Sequence, residues 1–130
     1  MTGETGDGRV VEYRTPYGRI AVADDVVASI AGTVAVQCAG VAGLVPRGLR
    51  EGLAGLLGGE HYGRGVDVAV SDGTVVVTVR IVVLYGVAIA EVAREVMSRV
   101  REAVVRAIGD DQVRVNVYVA GVRLDGDRTH

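Results

Sequence analysis

The chain has no Trp and no Phe, and its five aromatic residues are all Tyr. A core among its 130 residues must therefore be built from Val, Ala, Leu and Ile, which supply most of the 49% hydrophobic content. A chain of this length is one domain's worth and can bury a real core without staples. Cys38 stands alone, which excludes an intramolecular disulfide and fits a reducing cytoplasm. Lys is absent: all 14 basic residues are Arg, set against 16 acidic ones for a net charge of −2. No basic field exists to draw in nucleic acid. There are two histidines, one of them the terminal His130. His61 sits beside Glu60 with no second His or Cys near it, so no metal site is expected. Gly63-Arg64-Gly65 lacks the spacing and the Lys of a phosphate loop, and no cofactor motif is present. Asp110-Asp111 reads as a solvated turn after Gly109 rather than a cation site. With so thin an inventory, an enzyme is not expected and no catalytic residue is assigned. The first residues, MTGETGDGRVVEYRT, have no apolar h-region, so no secretory signal is expected.

What is present is concentrated between Thr74 and Ile108. Val75 to Leu84 is almost all Val, Ile or Thr, branched side chains that suit a pleated surface. With period 2, Val75, Val77, Val79, Ile81 and Val83 share one apolar face. Thr78, Arg80, Val82 and Leu84 share the other, which is at best half covered. Tyr85-Gly86 breaks the run. From about Val87 to Ile108, the residues Ile89, Val92, Ala93, Val96, Val100, Ala103, Val104 and Ala107 recur at steps of three and four. That spacing predicts a helix with one buried stripe. Glu95–Arg99 and Glu102–Arg106 are spaced for ion pairs on its solvated face. Gly109 is a left-handed stop. Gly86 is read as supplying a special backbone angle, with the Tyr85 ring plugging the end of the core.

The rest supplies partners for this unit. Residues 1–15 are expected to be flexible, as is a tail at 125–130; one domain spans 16–124. Tyr17 to Val22 predicts a short strand, and Asp24 is placed to cap the helix that follows. Val26 to Val45 carries no charge and matches the roughly 20 residues that cross a bilayer. Ser29, Thr33 and Gln37 nevertheless form a polar stripe, and Pro46 and three glycines interrupt, so a helix outside the membrane is expected and no direct span. Cys38 continues the apolar row Val26, Ile30, Val34, and with no charge evident nearby it reads as a small core residue. Residues 46–65 are an irregular Gly- and Leu-rich insertion. Its Leu49, Leu53, Leu56 and Leu57 have helical spacing, as a short helix or a mobile flap. Val66 to Val70 alternates as a strand, and Ser71-Asp72-Gly73 makes a hairpin turn. Val113, Val115, Val117 and Val119 alternate with Arg114, Asn116, Tyr118 and Ala120 as the last strand. The order is β-α-β-β-α-β. It predicts an α+β two-layer sandwich, both helices on one face of a mixed or antiparallel sheet.

Three stretches are similar to a known family. The first is Tyr17-Gly18-Arg19-Ile20-Ala21-Val22 with Val26, Ile30-Ala31 and Val41-Ala42-Gly43. The second is the Val-rich strand ending in Leu84-Tyr85-Gly86, with Ile89 three residues on. The third is Val115-Asn116-Val117-Tyr118-Val119. Together they resemble the bacterial alkaline shock protein 23 family of envelope stress proteins, over roughly residues 15 to 124. Tyr85, Gly86, Ile89 and Asn116 carry its motif. Ala88 stands where the family often has Asn. The resemblance implies a non-enzymatic cytoplasmic protein linked to envelope homeostasis. It also implies a protein partner, in some members a small membrane-anchored one, which would hold the protein at the inner face of the membrane.

The exposed sheet face then becomes the candidate interaction surface: Thr78, Arg80, Val82, Leu84, Arg114, Asn116 and Tyr118. Its mix of polar and aliphatic side chains fits contact with another copy, and a homo-oligomer is expected. The alternative is an RNA-binding module, which shares this strand–helix order. Such modules need stacking aromatics on adjacent central strands and a positive field. Here Tyr118 is the only aromatic expected on that face, and the net charge is negative.

Overall fold

A computed structural model describes residues 9–46 and 65–124. Strands β1 (Arg9–Thr15) and β2 (Gly18–Ala23) precede helix α1 (Asp24–Val36) and strand β3 (Val41–Leu44). Strands β4 (Val66–Ser71) and β5 (Thr74–Leu84), helix α2 (Ile89–Ile108) and strand β6 (Val113–Arg123) follow. The insertion from 47 to 64, with its four leucines and His61, lies outside the described residues, as do 1–8 and 125–130.

The branched run of β5 is the centre of a mixed sheet. β6 runs parallel along one side of it, from Val75↔Val113 to Leu84↔Arg123. On the other side two short antiparallel strands share the edge. β4 pairs with the first part of β5, Val66↔Val79 to Ser71↔Thr74, and β3 with the last, Val41↔Val83 to Leu44↔Ile81. Asp72 and Gly73 join β4 to β5 with φ of 52° and 79°, the paired positive angles of a two-residue hairpin.

The odd-numbered face of β5 is the core. Val77, Val79, Ile81 and Val83 are fully buried there against Val27, Ala31 and Ala35 of α1 and Val96, Val100 and Val104 of α2. Both helices cover this one face, and the fold is the α+β sandwich that the periodicity predicts. Each such burial contributes about 1.5–3 kcal/mol. The surface pair Glu102–Arg106, at 3.1 Å, contributes a few tenths. Apolar packing therefore holds α2 in place. Its buried stripe is narrower than the spacing suggests, because Ile89 and Ala107 at the two ends are exposed. Arg99 does not complete the second expected pair; its guanidinium reaches toward the Cys38 sulfur, just past the end of α1.

Four expectations are corrected. Arg9–Thr15 belongs to a strand rather than to a flexible segment, because the Pro16-Tyr17 turn folds it back onto β2. β2 therefore pairs with β1 in a separate two-stranded sheet and not with β5. α1 stops at Val36, and β3 forms where a longer apolar run gave no strand alternation. Asp24 is the first helical residue, not the cap; Ala23 holds the cap position without a side-chain bond. Two expectations are met: Ser29, Thr33 and Gln37 are all exposed, and Gly109 ends α2 at φ 73°, with its N–H on Val105.

The β1–β2 hairpin is latched to the main body. Val11 is buried in the core, and the Tyr13 hydroxyl donates to the carbonyl of Ile108, at the end of α2. Burial pushes the Tyr13 phenol up from its ordinary value of 10.0, and the Asp110 carboxylate beside it adds to the shift.

Candidate functional site

Even-numbered residues of β5 point away from the helices, and as far as Arg80 the parallel register brings even-numbered residues of β6 beside them. Thr78 pairs with Asn116, Arg80 with Tyr118, and Val76 with Arg114. All seven residues expected on the candidate face therefore lie on one side of the sheet.

They are not equally open. Val82 is 9% exposed, flanked in register by Gly43 and Gly121, and belongs to the packed sheet. Arg80 is also packed in, with its side chain 13% exposed. Its Nη1 donates to Asp67 Oδ2 at 2.8 Å, and its Nε and Nη2 are enclosed without a bond. Thr78 and Leu84 are half-buried. On β6, by contrast, Arg114 and Asn116 are exposed and Tyr118 is 60% exposed. The open part of the face is the β6 part.

Arg114, Asn116 and Tyr118 owe this placement to the alternation of their strand. Val113 and Val115, their odd-numbered neighbours, are buried on the helix side. Among the described residues, no strand pairs with the far side of β6. Three of the four motif residues, Tyr85, Gly86 and Ile89, follow the end of β5, whereas Asn116 lies on β6 opposite Thr78. Gly86 has φ of 97°, a backbone angle that side chains rarely adopt, as its position in the turn requires. Tyr85 does not plug the core. Its ring is 68% exposed, while its N–H donates to the carbonyl of Arg123 at 2.8 Å. Ile89, Val122 and Leu124 are also exposed at this end.

Cys38 is a core residue at 2% exposure, as its row predicts. It is not remote from charge, however: Arg99 Nη1 comes within 3.9 Å of its sulfur. Burial pushes the thiol up, and the opposing pull of Arg99 does not reverse this. The Arg99–Cys38 contact spans 61 residues of sequence and the Tyr13–Ile108 contact 95, so no local pattern announces either. Among the described residues, no three His, Cys, Asp or Glu side chains group as a metal site. Two surface depressions among the described residues are open. One follows α2 along Ser98, Arg101, Glu102, Val105 and Arg106, and another lies where α1 begins beside Val66 and Asp67. No described helix is long and apolar enough to cross a membrane.

A helix-backed sheet with an open outer strand defines a small two-layer α+β domain. The chain belongs to the alkaline shock protein 23 family, of cell envelope-related function, whose model matches residues 12–124. It is 37% identical over 115 residues to the uncharacterized protein YloU of Bacillus subtilis (strain 168), covering 88% of this chain and 96% of that one. It is 33% identical over 118 residues to the uncharacterized protein Spy1614 of Streptococcus pyogenes serotype M6, covering 90% and 98%. A second Bacillus subtilis protein, the uncharacterized YqhY, is 30% identical over 112 residues, covering 85% and 82%. No solved structure matches the chain.

Proposed function

We propose that the protein is a non-enzymatic interaction module of the cytoplasm that self-associates and docks on a membrane-anchored protein at the inner face of the envelope. The family's envelope-related function supports the setting. The observation that carries the reading is the open outer strand: β6 presents Tyr118, Asn116 and Arg114 to solvent on a rigid sheet. An exposed Tyr flanked by polar groups is the composition of a protein contact rather than of a catalytic cleft. An RNA platform would need aromatics on the central strand as well. β5 presents Val76, Thr78, Arg80 and Val82 there instead.

Fractionation of the native host carrying a tagged copy tests the docking. The protein is expected to pellet with the envelope and to be released by salt or mild detergent, as a peripheral protein is. A protein that stays in the soluble fraction under both resting and stressed conditions sinks the tethering.

A further inference from the structure

The outer rim of β6 has a geometry that goes further than an open strand. From Gln112 to Tyr118 the even-numbered residues turn their backbone groups toward β5: the Val75 N–H donates to the carbonyl of Gln112 at 2.9 Å, and the ladder keeps that phase as far as the register shift after Val119. Odd-numbered residues must then turn theirs outward. Val113 confirms the phase, because its carbonyl is taken from outside the ladder by Arg101 Nε, at 3.0 Å. Beyond it, the N–H and C=O groups of Val115 and Val117 face outward, and no described residue bonds to them. A row of unpaired groups on a regular strand is a template for another strand.

The side chains say which strand. We propose that the occupant is β6 of a second copy, paired antiparallel about a two-fold axis through Asn116, so that two sheets join into one. This rests on the self-association reading above and names its interface. With the axis at Asn116, Val115 and Val117 exchange both backbone bonds with Val117 and Val115 of the second copy. On the helix side every facing pair is Val on Val. On the open side Arg114 faces Tyr118 of the second copy, and does so twice by symmetry. These are the pairs without direct backbone bonds, in which side chains approach most closely. A guanidinium over a Tyr ring is an attractive pair there. Moving the axis to Val115 or Val117 takes Tyr118 off Arg114. The match is therefore between this strand and itself, in one register, with no like charges opposed.

The test is a swap read by light scattering after size exclusion, with far-UV circular dichroism as the folding control. The unaltered protein is expected to be a dimer. Tyr118→Arg sets two guanidinium groups face to face and is expected to halve the mass. Adding Arg114→Glu to that variant sets an acid against the new base and restores the dimer, which a general effect on folding would not do. A second readout uses Asn116→Cys on the axis. Facing Cα atoms in such a pair lie about 4.5 Å apart, within disulfide range. A disulfide-linked dimer is therefore expected under mild oxidant, while Ser71→Cys on the far strand gives none. A dimer that survives Tyr118→Arg and does not cross-link through Asn116→Cys overturns the β6 pairing and leaves self-association standing. A monomeric unaltered protein overturns both.

Discussion

Tyr13 shows how much one side chain can hold. Its hydroxyl ties the β1–β2 hairpin to the Ile108 carbonyl, one of the orphan acceptors that every helix end leaves. Tyr13→Phe removes the bond and keeps the ring. A loss of about 0.5–1.5 kcal/mol in denaturant unfolding is expected. The pH dependence has a definite sign. The folded phenol holds its proton more tightly than the unfolded one, whose value is 10.0. Its contribution is therefore fully present below pH 10.0 and is lost as pH rises from there through the folded value. Tyr13→Phe should flatten that alkaline decline. An equally steep decline in the variant would show that other groups carry it. Nothing in the sequence around Tyr13 announces this role, because its partner lies 95 residues away.

At the scale of elements, both helices begin without a side-chain cap. Ala88 occupies the cap position of α2 with extended φ and ψ of −79° and 99°, and Glu91 stands in the first turn. This backbone geometry is ready for an oxygen acceptor, and the cap position is the one where the family often carries Asn. Ala88→Asn is expected to raise stability by about 0.5–2 kcal/mol, read as a higher midpoint in thermal or denaturant unfolding. An unchanged midpoint would mean that the first turn of α2 gains nothing from a cap. The elements also show where sequence reading succeeds. The alternation of β4, β5 and β6 and the stripe of α2 were legible because each buries one face, and a one-sided face writes its period into the chain. β3 was not legible. Val41-Ala42-Gly43-Leu44 has no alternation and becomes a strand only because the end of β5 offers it a ladder.

For the whole molecule, stability should be graded from the centre outward. β5 has neighbours on both sides along its length and a face with no solvent contact. Native-state hydrogen exchange should therefore find the slowest amides at Val77, Val79, Ile81 and Val83, opening only with global unfolding. The β1–β2 hairpin is a separate two-stranded sheet, marginal by itself, and its amides should exchange through a lower-energy opening. Equal protection of hairpin and β5 would mean that the latch at Val11 and Tyr13 makes them one cooperative unit. The same grading bears on the candidate surface. Its β5 residues are locked in the sheet, and its β6 residues stand on the outer strand, where the proposed pairing would require no unfolding.

By itself, the sequence determined the layers. Branched alternation and a 3.6-residue stripe allow few arrangements, and they placed all seven candidate residues on one face. Only the tertiary structure decided which of them a partner can reach. Alternation says which way a side chain points, but not what stands on either side of its strand. Val82 and Arg80 point outward on a central strand and are enclosed. Tyr118 points the same way on the outermost strand and is open. The difference lies in what packs around each side chain, which depends on contacts distant in sequence that no local pattern encodes.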